Sequence, residues 1–272
     1  MTSVIPEAIR IYREAGYEPI GGYSPAHFFN LGHVPFTTFL RDSKIVGCPG
    51  LALQEVMFME NFRDYIAPKR ILVVGNAYGW STVVLALMFP QAKVLAMDID
   101  AASVAFTNTL FKANSLPALA VAAESPKDVA AVVGEHLGGA LDFCLSDAKH
   151  DNASLIADFA AAHAVAAPGA CTLLHDVINW NMVSGLRQIE KQHQLKSKIL
   201  TRTASGMALV YSTLEPALPP YRDRFRAAAA QGCQAGRAQR NAAQLQGTRQ
   251  LRHPPGQRLR PGRVIATGAA GQ

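Results

Sequence analysis

The chain has 272 residues, of which 49% are hydrophobic, and a formal net charge of +6. This length fits one large α/β domain or two small ones, and the apolar fraction is ample for a hydrophobic core. The charge is unevenly distributed: residues 1–215 contain 16 basic and 19 acidic residues, whereas residues 216–272 contain ten arginines and one aspartate. The predicted folded part is therefore mildly acidic, and the basic character belongs to the tail.

The cysteines and the N-terminal composition narrow the class of protein further. Cys48, Cys144, Cys171 and Cys233 are dispersed and form no CxxC pair, so neither a disulfide framework nor a zinc cluster is indicated. The first 19 residues carry charges throughout, which argues against a secretory signal. Residues 71–92 carry no charge, but glycines and a proline interrupt them, and a strand–turn–helix explains them better than a membrane span.

Residues 1–47 are predicted to form an N-terminal helical arm that precedes the main domain. Residues 8–12 have the apolar spacing of one short amphipathic helix. The segment 21–36 (GGYSPAHFFNLGHVPF) is rich in aromatic residues and is either a packed arm or a lid over the substrate. A further helix is predicted over 54–65, leading into the first strand of the main domain.

From residue 71 onward, strand-like and helix-like segments alternate. The predicted strands are 71–75, 93–98, 118–123, 141–147 and 170–176, and the predicted helices are 81–89, 102–114, 126–137 and 153–166. This alternation indicates a parallel sheet with helices on both faces. Two more strands, 198–203 and 207–212, flank a hairpin signal at Ala204-Ser205-Gly206. We therefore predict an α/β fold over residues 48–215: a Rossmann-like, mostly parallel seven-stranded sheet with a C-terminal antiparallel hairpin.

Residue types that cap helices mark several boundaries. The segment Ser125-Pro126-Lys127-Asp128 predicts a helix start with Ser125 as the N-cap and proline at the first helical position. Asp151 or Asn152 is predicted to cap the next helix, and Pro168-Gly169 is predicted to end it.

The stretch from Ile71 to Asp100 (ILVVGNAYGWSTVVLALMFPQAKVLAMDID) combines a strand, a glycine-bearing turn, a helix and a second strand that ends in Asp98. Such a unit presents a backbone turn and an acid to a nucleoside. A phosphate-binding P-loop would need Lys and Ser/Thr after the second glycine, where Trp80 stands. A dinucleotide fingerprint would need glycine in place of Ala77 and Trp80, which disfavours NAD. S-adenosylmethionine (SAM), which has no phosphates, remains.

The sequence VVGNAYGWST followed by MDID resembles motif I and its acidic successor in class I SAM-dependent methyltransferases. It is most similar to the small O-methyltransferases related to catechol O-methyltransferase, over about residues 48–213. Val73 and Ala77 depart from the pattern, which has an acid and a glycine at these positions. The resemblance implies SAM as the cofactor, with Asp98 accepting hydrogen bonds from the ribose diol. The cofactor contacts that it implies are Gly75, Asn76, Ala77, Gly79, Ser81, Asp98, Ile99, Glu124, Ser125 and Asp147.

Two further acids close predicted strands: Asp147 ends LDFCLSD and Asp176 ends CTLLHD. If these strands are neighbours, as in the resembled family, they lie about 5 Å apart. Their carboxylates would repel unless they share a proton or a cation. Relatives of catechol O-methyltransferase use a cation there to lower the pKa of a substrate hydroxyl, which makes Asp147 and Asp176 candidate Mg²⁺ ligands. The family's Asn after the second acid is Val177 here, so the set of oxygen ligands is incomplete.

His150 and His175 are the candidate catalytic bases. The segment SDAKHD resembles the family's Asp-x-x-His segment, which implies a loop position facing the site for His150. A histidine with a pKa near neutrality can accept a hydroxyl proton as the methyl group arrives. Either histidine could instead only hydrogen-bond a strand end. The sequence therefore does not decide between a metal-dependent and a metal-free site.

We expect a cytoplasmic SAM-dependent methyltransferase that transfers methyl to oxygen of a small-molecule acceptor, with no membrane partner; a homodimer stays open. Val73 and Ala77 motivate the alternative, a degenerate SAM-binding or structural protein of the same fold without methyl transfer. Residues 216–272 lack a periodic apolar face and are predicted to be a basic, disordered tail. Aromatic residues for base stacking are nearly absent after Phe225, which disfavours a nucleic-acid partner.

Deleting residues 216–272 is expected to leave the melting temperature and the affinity for SAM unchanged, because the tail lacks core-forming residues and follows a complete predicted hairpin. Thermal unfolding and calorimetric titration of the full and truncated chains measure this. A lower melting temperature, or a loss of solubility in the truncated chain alone, would contradict the prediction.

Overall fold

The structure, a computed structural model, describes residues 2–21, 37–47 and 50–212 of the chain. Its helices are α1 (Ile5–Glu14), α2 (Leu53–Phe62), α3 (Trp80–Met88), α4 (Ala101–Ala113), α5 (Val129–Leu137), α6 (Asn152–Ala164) and α7 (Val183–His193). Its strands are β1 (Glu18–Gly21), β2 (Thr37–Arg41), β3 (Lys44–Gly47), β4 (Arg70–Val74), β5 (Lys93–Asp98), β6 (Ala118–Ala122), β7 (Leu141–Ser146), β8 (Ala166–Leu174), β9 (Lys196–Ile199) and β10 (Ala208–Tyr211). A 3₁₀ turn over Arg63–Tyr65 follows α2. Within the described ranges, no helix has both the length and the apolar character needed to span a membrane.

The central sheet contains seven strands in the order β6-β5-β4-β7-β8-β10-β9. Strands β4 to β8 pair in parallel, whereas β10 pairs antiparallel with both β8 and β9. The predicted fold class is therefore confirmed: a Rossmann-like, mostly parallel sheet with a C-terminal antiparallel hairpin. Because β4 lies between β5 and β7, the strand order reverses at β4, and a crevice opens at the carboxyl ends of these strands.

Alternate residues of each central strand enter cores on opposite faces of the sheet. Ile71 and Val73 of β4 pack into a core with helices α1 to α4, whereas Leu72 and Val74 pack into a second core with α5 and α6. A third cluster joins α6 and α7 to β8 and β10. Burial on both faces explains why the strand reads as an unbroken apolar run rather than as an alternating one.

The N-terminal region contains more strand than the predicted helical arm. Helix α1 is present, but β1, β2 and β3 form a separate antiparallel sheet. Asp42 and Ser43, between β2 and β3, have φ values of 50° and 60°. Two successive residues with positive φ form the tight turn that joins antiparallel strands. The predicted lid segment 21–36, apart from Gly21 in β1, lies outside the described residues.

Aromatic side chains join these N-terminal elements to the back of the turn after β4. The ring of Tyr12 stacks on Phe39 with centroids 4.4 Å apart, and its hydroxyl donates to the carbonyl oxygen of Tyr78 at 2.7 Å. The indole of Trp80 is fully buried, and its Nε1 donates to the carbonyl oxygen of Leu51 at 3.1 Å. Trp80 therefore fills the space behind the turn.

The predicted start of α5 is wrong. The helix begins at Val129 rather than at Pro126, and Ser125 does not cap it. The hydroxyl of Ser125 instead donates to the carboxylate of Asp158, with Oγ 2.6 Å from Oδ1. A tertiary contact with α6 therefore takes the side chain that would otherwise have capped the helix.

Helix α6 begins as predicted but ends earlier. The carboxylate of Asp151 accepts from the backbone N–H of Ser154 at 2.8 Å, which confirms the predicted cap. The helix ends at Ala164, and Pro168 and Gly169 lie within β8, where the pairing with β7 shifts its register. A proline is tolerated in a strand at such an irregularity.

Gly75 lies where the carboxyl ends of β4 and β7 meet. Its φ is 90°, and a Cβ at this position would lie 2.1 Å from the carbonyl oxygen of Asp147. The N–H of Asp147 donates to the carbonyl oxygen of Val74 at 2.8 Å, which fixes the approach. Only glycine fits there, so the predicted turn glycine brings the turn directly against Asp147.

Gly75→Ala is expected to lower the free energy of unfolding by about 2 kcal/mol or more, because the methyl group must displace the backbone of Asp147 and alanine disfavours positive φ. Gly134→Ala is the matched control. Gly134 lies within α5, and no atom lies within 4 Å of an added Cβ, so this variant should be more stable by about 0.5–1 kcal/mol. Urea unfolding of both variants measures the difference. Equal effects would show that the contact at Gly75 relaxes readily.

Candidate active site

A cavity of about 900 Å³ lies at the carboxyl ends of the parallel strands. Residues that follow β4, β5 and β6 form one part of its wall, and residues that follow β7 and β8 form the other, together with Gly50. Ligands of open α/β sheets bind at this edge. A second cavity, of about 610 Å³, lies at the opposite edge near Arg70, Lys93 and Leu137, away from every predicted site residue.

The carboxylate of Asp98, at the end of β5, is bound to the turn that follows β4. Its Oδ2 accepts from the backbone N–H groups of Asn76 at 2.8 Å and Ala77 at 2.7 Å, and its Oδ1 accepts from Asp100 at 3.0 Å. These bonds hold Ala77 at a φ of 42°, a left-handed conformation that costs alanine about 1–2 kcal/mol. A carboxylate has about four acceptor positions, so Asp98 retains capacity for a ribose hydroxyl.

Most of the predicted cofactor contacts line the cavity: Gly75, Ala77, Asp98, Ile99, Glu124, Ser125 and Asp147. The other predicted contacts, Asn76, Gly79 and Ser81, do not. The side chain of Asn76 is buried, donating to the hydroxyl oxygen of Thr107 and accepting from Thr82. A Cβ on Gly79 would lie 2.4 Å from Thr107, so this glycine permits close packing of α3 against α4. Asn76 and Gly79 therefore support the turn from behind, whereas the hydroxyl of Ser81 lies beside Gly50.

A polar cluster occupies the other part of the cavity, at the ends of β7 and β8. Nε2 of His150 lies 3.3 Å from Oδ1 of Asp147 and 3.3 Å from Oδ2 of Asp176. Nδ1 of His175 lies 2.8 Å from the same oxygen of Asp147 and 3.4 Å from that of Asp176. These four polar atoms all lie within 4.8 Å of one another. The structure thus brings together the two acids and the two histidines that the sequence analysis singled out at this edge.

His175 is buried and has a carboxylate at each ring nitrogen. Its Nε2 lies 2.9 Å from Oε2 of Glu55, which projects from α2 and has a fully buried side chain. The other oxygen of Glu55 accepts from the backbone N–H of Ser205 at 2.9 Å and from its hydroxyl. Oε2 also accepts from the N–H of Ala52 at 2.8 Å. Glu55 therefore connects α2, the end of β8 and the loop before β10.

The surroundings of these groups determine their charge. Burial by itself would raise the pKa of Asp147, but the charges and hydrogen bonds of His175 and His150 lower this pKa to about 2. Burial would lower the pKa of His175, but Asp147 and Glu55 raise it well above its ordinary value. The pKa of His150 is also raised, against burial, by its hydrogen bond to Asp147 and the charge of Asp176. Both ring nitrogens of His175 already face carboxylates, so the predicted role of base suits His150 better.

The sequence analysis missed Gly50, Glu55 and Trp180. A lone acid within the apolar segment LQEVMF is the signal that could have identified Glu55, because a buried carboxylate requires a partner. Trp180 is 54% exposed beside the cavity, and its ring stacks on His150 with centroids 5.3 Å apart. A Cβ on Gly50 would lie 2.9 Å from Oδ2 of Asp147, so Gly50 leaves room for this carboxylate. Neither Gly50 nor Trp180 has a distinctive sequence pattern.

The cluster has ligand atoms for a divalent cation, although not those that Mg²⁺ prefers. Asp147 and Asp176 lie close enough to share one ion, as the sequence predicted for a metal site. However, two imidazole nitrogens face the same space, and Mg²⁺ takes oxygen ligands whereas imidazole suits transition metals. The donor set therefore fits a transition metal ion better than it fits the predicted magnesium.

Comparisons with known proteins agree with this fold. Residues 72–177 match a family model described as "Methyltransferase domain". The fold is similar to that of an O-methyltransferase from Bacillus cereus solved in complex with SAH, at 15% identity and a TM-score of 0.52, covering 78% of this chain and 92% of that one. It is also similar to the O-methyltransferase TomG from Streptomyces achromogenes, solved with SAM, at 14% identity and a TM-score of 0.52, covering 78% and 91%. Cofactor-bound Rv0187 from MTB has 19% identity and a TM-score of 0.50, covering 60% and 81%. Among curated proteins, none matches the sequence.

The fold and the matched segment point to the same class of protein: residues 72–177 match the methyltransferase-domain model, and the fold is that of O-methyltransferases solved with SAM or SAH. The matched segment begins in β4 and ends just after Asp176, so it contains the turn, Asp98 and the polar cluster. The resemblance inferred from VVGNAYGWST and MDID is confirmed.

Asp98→Ala is expected to weaken SAM binding by about 1.5–3 kcal/mol, because it removes a charged acceptor and the bonds that fix Asn76 and Ala77. Asp100→Ala is the matched control. The carboxylate of Asp100 accepts from Ala102 and caps α4, so this variant should lose about 1 kcal/mol of stability and keep its SAM affinity. Calorimetric titration measures both affinities. An equal loss of affinity in the two variants would place the ribose contact elsewhere.

Proposed function

We propose that the protein transfers a methyl group from SAM to a hydroxyl oxygen of a small-molecule acceptor. The observation that carries this proposal is that Asp98 and the polar cluster of Asp147, His150, His175 and Asp176 line one and the same cavity. The methyltransferase-domain match and the O-methyltransferases of the same fold support it. Val73 and Ala77 are the only departures that motivated the degenerate alternative, and neither the family-model match nor these neighbours support it.

The reaction requires little covalent chemistry from the protein. The acceptor oxygen attacks the methyl carbon of SAM, a C–O bond forms, the C–S bond breaks, and S-adenosylhomocysteine (SAH) leaves with the sulfur electron pair. The hydroxyl proton leaves the acceptor, so the protein must hold the oxygen in line with the methyl group and stabilise the negative charge that develops. The sulfonium of SAM supplies the reactivity.

The two parts of the cavity suit the two reactants. The adenosine end fits beside Asp98, Ile99 and Ser125, where a ribose acceptor, an apolar side chain and a hydroxyl lie at the ends of β5 and β6. Asp176 and His150, on the far side of Asp147, would then hold the acceptor hydroxyl. In this order, the methyl group would lie between the turn at Gly75 and the polar cluster.

Two routes for the hydroxyl proton are compatible with these contacts. In the first, His150 accepts the proton; it is the most exposed member of the cluster, with 29% of its side chain accessible. In the second, the carboxylates and imidazoles hold a divalent cation, which would lower the pKa of the hydroxyl that it contacts. In both routes Asp176 is required, and in neither does it contact the adenosine.

Asp176→Asn is therefore expected to lower the rate of methyl transfer by about 100-fold or more while leaving SAH affinity nearly unchanged. The assay follows transfer of labelled methyl from SAM to a panel of phenolic, catecholic and aliphatic alcohols, and calorimetry reports SAH binding. The matched control is Asp64→Asn, since Asp64 is exposed in the 3₁₀ turn after α2.

Three outcomes would contradict the proposal. Absence of SAM and SAH binding to the folded protein would remove the methyltransferase function. Binding without transfer to any hydroxyl acceptor would support the degenerate alternative. Equal rates for Asp176→Asn and Asp64→Asn would exclude the polar cluster from the reaction.

A further inference from the structure

We propose that the cavity of about 610 Å³ at the amino ends of β4 and β5 binds an organic phosphate, meaning a phosphate ester that carries an apolar or planar body. This cavity lies at the edge of the sheet opposite the candidate active site, and the two share no lining residue. The proposal goes beyond the proposed function and does not depend on it, because binding here can be measured without methyl transfer.

Four basic side chains line this cavity. Arg63 comes from the 3₁₀ turn after α2, Lys69 and Arg70 from the point where β4 begins, and Lys93 from the start of β5. In the described part of the chain, no acid is among the lining residues, and none of the four basic side chains forms an ion pair. The carboxylate of Asp142 accepts instead from the backbone N–H groups of Lys69 and Arg70, both at 2.9 Å. The cavity therefore has positive charge that no carboxylate neutralises.

The guanidinium of Arg63 has a donor that lacks a partner. Its Nε is buried, and among the residues that the structure describes it is the one buried side-chain nitrogen or oxygen without a hydrogen bond. Such groups are rare in folded proteins because an unmet buried donor is costly, and a ligand that accepts the bond explains one. The guanidinium of Arg70, packed against Gly139, has only a long contact of 3.5 Å to the carbonyl oxygen of Ala140. Both forks therefore have donors available for phosphate oxygens.

The rest of the wall is mostly apolar, which indicates a ligand with an organic body. Its apolar side chains include Ile66, Pro68, Met88, Phe89 and Leu137. Cavities of roughly 300–1,000 Å³ with such walls hold small organic ligands, whereas inorganic phosphate would leave the apolar surface unused. A phosphate monoester carries a charge of about −1.5 to −2 at neutral pH. Several unpaired cations therefore suit a phosphate better than a carboxylate, which carries a single charge.

The helix ends at this edge do not account for the cations. Helices α2, α3 and α5 all end beside the cavity, and each C-terminus carries roughly half a negative charge. Together these ends offset fewer than two of the four positive charges. A helix end also offers carbonyl oxygens as acceptors, yet the Nε of Arg63 bonds to none of them. The basic side chains thus exceed what the helix ends require.

Nucleotides and lipid phosphates share this chemistry, and calorimetric titration of the full chain distinguishes them. The ligands are UDP, octyl phosphate and inorganic phosphate, with uridine and octanol as the uncharged counterparts. One site per chain is expected, with at least one ester binding about 10-fold or more tightly than inorganic phosphate, because its body is buried against the apolar wall. Tighter binding of UDP would assign the site to nucleotides, and tighter binding of octyl phosphate would assign it to lipid phosphates. Saturation with SAH should leave these affinities unchanged.

Variants assign the binding to this cavity. Arg63→Met and Lys93→Ala are each expected to weaken binding of the ester by about 10-fold, the loss for one charged hydrogen bond. Lys191→Ala is the matched control, because Lys191 is exposed in α7 and does not line the cavity. Arg63→Met also removes the unpaired donor, so its melting temperature should equal or exceed that of the unaltered chain. Lys93 is exposed, so its variant remains informative if the Arg63 variant fails to fold.

Three results would overturn the proposal. The first is that neither ester binds. The second is that inorganic phosphate binds as tightly as both esters, which would indicate only a general attraction of anions. The third is that Lys93→Ala binds the ester as well as Lys191→Ala does, or that SAH displaces the ester, since either would place it outside this cavity. Loss of methyl transfer with normal ester binding would contradict only the proposed function.

Discussion

The buried ion pair between Glu55 and His175 is the interaction on which the site depends. The two side chains are 0% and 1% exposed, and removing both charges from water costs several kcal/mol per ion before any compensation. Hydrogen bonds from other parts of the chain compensate for this desolvation cost. Glu55 accepts from Ser205 and Ala52, and His175 faces Asp147 with its other nitrogen. The pair persists because every polar atom in it has a partner, and each partner comes from a different segment of the chain.

This arrangement makes the candidate site depend on a helix and a loop that lie outside the repeating α/β unit. Glu55 lies in α2, before the first strand of the central sheet, and Ser205 lies in the loop that precedes the last one. Loss of either charge would leave the other buried and unpaired, which is far more destabilising than the loss of a surface pair. The position of His175, and through it the orientation of Asp147, therefore depends on the correct docking of both ends of the domain.

A second constraint separates the cofactor part of the cavity from the polar cluster. The absence of a side chain at Gly75 lets the turn after β4 approach the backbone of Asp147, and Asp98 fixes this turn from the other side. In the proposed reaction, the methyl donor and the acceptor would be held on opposite sides of this one backbone contact. Trp80, Tyr12 and Phe39 support the turn from behind and do not line the cavity.

The sequence by itself determined the strand–helix alternation, the antiparallel closing hairpin, the turn glycine and the acids at three strand ends, because each follows from local periodicity or from a short motif. It also identified His150 and His175. Only the tertiary structure decided that Asn76 and Gly79 support the turn from behind, that Ser125 binds Asp158 rather than capping α5, and that Glu55 pairs with His175, 120 residues away. Such pairings depend on which segments meet in the folded core, and the spacing of residues along the sequence does not determine which distant segments meet.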